Sequence, residues 1–237
     1  MPLHEHLLEL RRRLVRSSIA LVLGTIVAFA FHKPILRFLV QPVQEFLTSP
    51  AGQLIFTEPG EYIGTAMKVS LLAGLVLALP VVLYEAVMFV APGLTPKERR
   101  YLYILVPTSL LAFVVGAAFG YWVLLPPAFK VLLTFGSDVA TPMIRIGPLV
   151  GLMLQLLLWM GLSFELPVVI FLLAKIGVVN TRLLSRFRPY AIVLAFVLSA
   201  IITPTVDPVN QTLVAVPLVV LYEISIWLSR LAAPRRR

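Results

Sequence analysis

The 237-residue chain has no cysteine and only three histidines, His4, His6 and His32. The first absence excludes disulfides, thiolate zinc sites, haem attachment and thiol catalysis. The second gives no basis for a histidine metal site, since all three precede the second apolar span. Charge is also scarce: 13% of residues are Asp, Glu, Lys or Arg, and the acidic ones number 11 against 20 basic. Soluble domains carry about 25%. Enzyme signatures are missing too. There is no paired acidic metal motif, no nucleophile elbow, no phosphate-binding glycine loop and no HExxH. Gly161-Leu162-Ser163 lacks the second glycine of an elbow and reads as small-residue helix packing. No enzyme and no cofactor are expected, and no aromatic-and-basic surface suggests nucleic acid.

What is present is apolar. Hydrophobic residues make up 59% of the chain and mean hydropathy is +0.96, against roughly 45–50% apolar in soluble domains. The chain reads as an all-α, multi-pass membrane protein in which a lipid bilayer is the first partner. No Ser/Gly linker or low-complexity tract interrupts it, so residues 1–237 form one domain. Six apolar segments emerge, at about 17–31, 69–90, 101–125, 149–174, 189–202 and 210–228. The last two are short. A helix needs about twenty residues to cross untilted, so the fifth either extends into its flanks or sits in locally thinned bilayer.

Lys and Arg alternate in density between successive connections. Fifteen lie before span one, between spans two and three, between four and five, and after six; only five lie in the other set. The positive-inside rule therefore places both termini in the cytoplasm, and an even number of spans gives the same answer. Arg11–Arg16 followed by an apolar run and Ala28-Phe29-Ala30 has the outline of a cleavable signal, with Arg12-Arg13 as a twin-arginine pair. Five further spans argue against that. Leu3, Leu7, Leu10 and Leu14 form a narrow apolar stripe, which predicts an interfacial helix over about 2–13 that then turns into the membrane. On the outer side, the amphipathic Ile35–Leu47 stretch predicts a short surface helix or cap, and Pro126-Pro127 opens the second outward loop.

Glu165 is the most informative residue. It lies in the apolar run between Arg145 and Lys175, about 15 Å from the nearer flanking charge at 1.5 Å per residue. A carboxylate at membrane depth is a functional candidate by default; the plainer reading is a protonated or hydrogen-bonded glutamate between helices. Pro80, Pro167 and Pro217 recur in spans two, four and six, and each can curve its helix, which would leave a concave face bearing Glu165. Two more carboxylates sit among arginines, Glu9 beside Arg11–Arg13 and Glu98 in Lys97-Glu98-Arg99-Arg100. Locally, Glu9 can pair with Arg12 or Arg13, and Glu98 can open the third span. Alternatively, isolated carboxylates on a basic face can accept a cationic peptide.

The motifs together resemble the TatC family, the receptor subunit of the twin-arginine protein translocase. His6-Leu7-Leu8-Glu9-Leu10-Arg11-Arg12-Arg13-Leu14 matches its H-L-x-E-L-R-x-R-L. Phe89-Val90-Ala91-Pro92-Gly93-Leu94 through Glu98-Arg99 matches F-x-x-P-G-L-x-x-x-E-[RK], and Gly161 through Phe164-Glu165-Leu166-Pro167 matches G-x-x-F-E-x-P. The resemblance implies a cupped bundle of six transmembrane helices in the cytoplasmic (inner) membrane. It implies that Glu9 and Glu98 bind the Arg-Arg signal of folded precursors, with Arg13, Phe89, Pro92 and Arg99 beside them. It further implies that Glu165, Thr203 and Gln211 meet the single-span TatA and TatB subunits, that Pro42 and Glu61 belong to an outer cap, and that the subunit self-associates. Thr203-Pro204-Thr205-Val206-Asp207 is one residue longer than the family's Thr-Pro-x-Asp tip, which leaves Asp207 without an assigned role.

Other polar residues have local explanations. Glu85 and Glu223 are expected to snorkel or to pair with Arg99 and Arg230. Glu58 and Glu61 can solubilise the outward loop, and Tyr190, Tyr222 and Trp227 fit an interfacial aromatic belt. A proton- or ion-coupled transporter using Glu165 as relay is the second reading; it calls for broken half-helices and a second carboxylate near Glu165. A purely structural membrane subunit is the third.

Overall fold

A computed structural model describes residues 3–46, 54–90, 96–134, 143–203 and 208–232. These residues form α1 (Leu3–Ala30), α2 (His32–Val40), α3 (Glu61–Val90), α4 (Pro96–Phe119), α5 (Leu125–Thr134), α6 (Ile146–Lys175), α7 (Thr181–Arg186), α8 (Arg188–Ile202) and α9 (Pro208–Ala232). A 3₁₀ turn, Gln41–Phe46, follows α2, and a π-helical turn, Gly120–Leu124, joins α4 to α5. The only β-like feature among the described residues is a single parallel bridge between Ile55 and Arg145. Five helical stretches are long and apolar enough to cross a bilayer: 7–30, 61–89, 104–132, 146–175 and 208–232. The sixth, α8, has 15 residues.

Three sequence expectations are corrected. No turn separates an interfacial helix over 2–13 from the first span: α1 runs unbroken for 28 residues. Leu, Glu and Arg are strong helix formers, and nothing between Leu3 and Gly24 interrupts them. At about 42 Å the helix is longer than the hydrocarbon is thick, so its amphipathic start projects beyond it. The third span does not stop at Leu125. Pro126 and Pro127 lack the N–H groups that would bond four residues back, and the helix answers by widening, with the Leu125 amide bonding the Gly120 carbonyl in a π turn. It then continues to Thr134. The sixth span is not short, since α9 spans 25 residues and carries on past Arg230. Hydropathy marks where lipid ends, whereas a helix ends where its hydrogen bonds do. The fifth span is short as expected. Asn180 Oδ1 caps α7 by accepting from the Leu183 amide at 2.7 Å, and Phe187 breaks the chain before α8. Extension into the N-terminal flank is thereby excluded, and about 22 Å of helix is left to face roughly 30 Å of hydrocarbon.

α6 is central and packs against α3, α4 and α9, while α1 lies outside against α3 and α8 outside against α9. The core runs along α6 through Val150, Met153, Leu156 and Met160 and meets Leu125 and Phe129 of α5, Val69 of α3 and Val214 of α9. Val43 of the 3₁₀ turn is fully buried, so the α2–3₁₀ segment is part of the core. The Tyr121 hydroxyl fastens the cap by donating to the Phe38 carbonyl, and the two rings stack at 4.7 Å. An apolar hollow of about 290 Å³, walled by Phe38, Leu72, Val76, Phe113, Ala117 and Leu157, opens between α2, α3, α4 and α6. Ile19, Val22, Leu23 and Ile26 of α1 are exposed, which suits a lipid-facing helix. Glycines set the close contacts. A Cβ on Gly24 would lie 2.6 Å from the Gly74 carbonyl oxygen, and one on Gly161 would lie 2.6 Å from the Phe113 ring. In lipid, helix association depends on such close packing.

Gly24→Leu is therefore expected to destabilise the fold by about 1–3 kcal/mol, the range for overpacked cores, and to lower the melting temperature of the detergent-solubilised protein. Gly151→Ala, whose added methyl meets nothing within 4 Å, is expected to melt with the wild type. Equal melting of all three proteins would show that α1 and α3 are not in close contact.

Candidate functional site

At the end of the bundle bearing Glu9, α1 and α3 bring four charged residues together. Arg13 donates through Nε and Nη2 to Glu9 Oε1, at 3.1 and 2.5 Å, and through Nη1 to Glu85 Oε2 at 2.9 Å. Arg16 Nη1 donates to Glu85 Oε1 at 3.3 Å. The Glu9–Arg13 pair is the i, i+4 contact that local spacing allows. Glu85 is buried at 5% exposure and pairs with Arg13 and Arg16; the side chain of Arg99, its expected partner, lies outside the described residues. A carboxylate withdrawn from water requires a nearby cation, and α1 supplies two that are three residues apart. Phe89 lies one turn beyond Glu85 on the same helix and is half-buried. Glu98 and Arg99 fall in the first turn of α4, with Pro96 opening the helix, a position that suits both a proline and a negative charge. For these two residues only the backbone is described, and Pro92 and Asp207 lie outside the described residues.

In the middle of α6, Glu165 is half-buried, and no hydrogen bond or ion pair reaches it among the described residues. Pro167 lies inside α6 without breaking it and has no N–H for the carbonyl of Ser163. The Ser163 hydroxyl is itself engaged, donating to the Trp159 carbonyl at 2.7 Å. A carboxyl group and a backbone carbonyl lacking its helical donor thus lie within one turn of each other at membrane depth. Thr203 and Gln211 are turned toward the protein's own backbone. Thr203 is buried and donates to the Ser199 carbonyl at 2.7 Å, and Gln211 Nε2 donates to the Phe196 carbonyl at 3.1 Å. Gln155 of α6, not singled out from sequence, donates likewise to the Ile201 carbonyl at 3.2 Å. Two amide side chains from different helices therefore hold the short α8.

At the opposite end Glu61 does more than solubilise a loop. Its Oε2 accepts from the Thr57 amide and its Oε1 from the Gly147 amide, both at 3.0 Å, and Arg145 Nη2 reaches Oε2 at 3.1 Å. Gly147 is in the first turn of α6, so a carboxylate from α3 satisfies an amide that α6 leaves open at its own N-terminus. Arg145 Nη2 also reaches Glu58 at 3.1 Å. A Cβ on Gly147 would come within 2.9 Å of Glu61 Oε1, so this clasp requires glycine there. Hydrogen bonding from the Arg145 guanidinium to Glu61 raises the Arg145 pKa above its ordinary value. Pro42 sits half-buried in the 3₁₀ turn beside Val43. Glu223 pairs with Arg188 at 2.9 Å rather than with Arg230, which stacks over Trp227. The Tyr222 hydroxyl donates to the Leu184 carbonyl at 2.9 Å. Among the described residues no three His, Cys, Asp or Glu side chains converge as a metal site.

Residues 5–217 match the family model described as Sec-independent protein translocase protein (TatC). The chain is 41% identical over 239 residues to the Sec-independent protein translocase protein TatC of Aquifex aeolicus, covering 100% of this chain and 98% of that protein. It is 38% identical over 235 residues to the TatC of Carboxydothermus hydrogenoformans, covering 99% and 95%. Among solved structures it is similar to the crystal structure of a twin arginine translocase receptor, TatC, with a TM-score of 0.85, 40% identity and coverage of 96% of this chain and 99% of that one.

The Glu61–Arg145 clasp can be tested by substitution. Glu61→Gln and Arg145→Lys are each expected to lower the melting temperature at neutral pH, because an ammonium cannot reproduce the guanidinium fork. A group whose folded pKa is raised contributes stability that is complete below its unfolded pKa and is lost only as pH rises through the folded value. For Arg145 that window is strongly alkaline, so its share of the clasp should not vary around neutrality. Wild-type melting of both variants would refute the clasp.

Proposed function

The chain belongs to the TatC family of Sec-independent protein translocase proteins, and from that premise we propose that it is the signal receptor and assembly scaffold of a twin-arginine translocase. The observation that carries the proposal is Glu9, a half-buried carboxylate that already binds a guanidinium at the end of α1. In this reading Glu9 and Glu98 receive the two arginines of a precursor's signal, with Arg13, Phe89, Pro92 and Arg99 around them. A guanidinium fork on a carboxylate is shorter and stronger than a neutral hydrogen bond. Requiring two such pairs gives a selectivity that one exposed ion pair, worth about 0–1 kcal/mol, does not. The signal's apolar stretch lies along the membrane-embedded face of the bundle.

Glu165 is the docking group for a polar residue on the membrane helix of a single-span TatA- or TatB-type subunit. The support is its mid-helix position and the open Ser163 carbonyl beside it. Thr203 and Gln211 shape that surface by holding α8 in place, and Pro42 and Glu61 maintain the outer cap. The protein works in the cytoplasmic (inner) membrane with both termini inside, self-associates, uses no cofactor, and is non-enzymatic. The transmembrane proton gradient drives transport through recruitment of partner subunits.

Photo-crosslinking tests both halves. Glu9→Ala with Glu98→Ala is expected to abolish crosslinking to an Arg-Arg precursor while membrane insertion persists, and Lys-Lys signals should crosslink poorly to the wild type. Undiminished crosslinking in the double variant would refute the receptor assignment. Glu165→Ala should leave signal crosslinking intact and reduce crosslinks from α6 to a TatA- or TatB-type helix. Undiminished subunit crosslinks would remove Glu165 from that role.

A further inference from the structure

Glu9, the carboxylate assigned to an incoming arginine, already holds one. Arg13 spends two donors, Nε and Nη2, on Glu9 Oε1 and its third nitrogen on Glu85 Oε2. Arg16 occupies the other oxygen of Glu85. The side chains of Glu9, Arg13 and Glu85 are 23%, 16% and 7% exposed. Glu9 is therefore partly exposed, and its Oε1 is taken by Arg13. Glu85 has both oxygens engaged and almost no exposure, so it is closed to a peptide.

We propose that Arg13 is an internal occupant of the signal-arginine site, and that Glu85 is the positioning residue that keeps Arg13 when an incoming guanidinium takes Glu9. The proposal rests on the receptor reading above and adds a latch to it. A fork on Glu9 needs both carboxylate oxygens, so Arg13 must give up Oε1. Alone, the displaced Arg13 would become a poorly solvated cation without a partner, which is strongly unfavourable. Glu85 removes that obstacle because Arg13 is bonded to it before and after the exchange. Arg16 occupies the second oxygen of Glu85, which Arg13 would need for a full fork on the anchor. The four charges sum to zero, so the resting site has no net charge to attract arbitrary cations. A ligand must displace the two-donor contact of Arg13 on Oε1 to bind, and a lysine ammonium, which cannot form a fork in exchange, is poorly equipped to do so. The latch thus enforces arginine over lysine at Glu9.

Affinities of a fluorescent Arg-Arg signal peptide and its Lys-Lys counterpart for the purified full chain in nanodiscs test this, using Glu9→Gln, Glu85→Gln, Arg16→Gln and the double variant Glu85→Gln/Arg13→Gln. In Glu85→Gln, Arg13 has Glu9 as its sole carboxylate among the described residues, and Arg-Arg binding should weaken about tenfold, the factor that one retained charge-assisted hydrogen bond makes. The double variant removes one positive and one negative charge together. It should bind the Arg-Arg peptide at least as tightly as the wild type while discriminating less against Lys-Lys. A merely structural role for the cluster would leave the double variant as weak as Glu85→Gln or weaker. Arg16→Gln frees Glu85 to take Arg13 with both oxygens and should tighten binding, which keeps the test open if Glu85→Gln fails to fold. Wild-type affinity in Glu85→Gln, a double variant no tighter than that single one, or weakened binding in Arg16→Gln would each overturn the latch. If the wild type shows no preference for Arg-Arg, or Glu9→Gln binds normally, the receptor reading fails and the latch with it; normal behaviour of those two controls confines any failure to the latch.

Discussion

A carboxylate withdrawn from water must have a cation within reach, and the bundle is tied together where that requirement is met across helices. Glu85 of α3 draws in Arg13 and Arg16 of α1. Glu61 of α3 draws in Arg145, next to α6, while the more exposed Glu223 of α9 pairs with Arg188 of α8. Lipid tails are as apolar as leucine, so burial of aliphatic side chains gives helices little reason to associate in a bilayer. Close glycine contacts and charge pairs near helix ends supply that reason. α1 shows it most plainly. It is almost wholly surface, with Ala28 the one buried apolar residue among those of its side chains that are described, yet Gly24 against Gly74 and the Glu85 cluster fix it along α3.

Glu165 stands against this pattern. Every other acidic side chain whose surroundings are described has a basic partner, and Glu165 has none among the described residues. Its helix is also the central one, packed against α3, α4 and α9, and Pro167 leaves open the carbonyl of Ser163, two residues before Glu165. The unsatisfied capacity is therefore concentrated on the central helix and at membrane depth. That is where a second membrane protein could satisfy it with a single polar group.

The sequence made the number and approximate course of the spans legible, because the length of an apolar run follows from bilayer thickness alone. Helix ends were harder to read. Pro126-Pro127 looked like a terminator and is absorbed by a π turn, and Arg230 looked like the end of a span and sits inside α9. Glu9, Glu98 and Glu165 could be singled out because a carboxylate among arginines or leucines is anomalous wherever it falls. Their partners could not. The pairing of Glu85 with Arg13 joins positions 72 apart, and it depends on the register of two antiparallel helices that no local spacing encodes. Gln155 was missed for a related reason: an amide in an apolar span carries no sign until the carbonyl it serves is known.

The capping of α6 by Glu61 has a mechanical result. A helix whose first turn is hydrogen-bonded to its neighbour's carboxylate cannot slide or swing at that end without carrying the neighbour along. α3 and α6 are thus pinned at the Glu61 end of the bundle, like two rods sharing a hinge pin. Any relative displacement of the pair grows with distance from that pin and is greatest at the far end, where α3 carries Glu85.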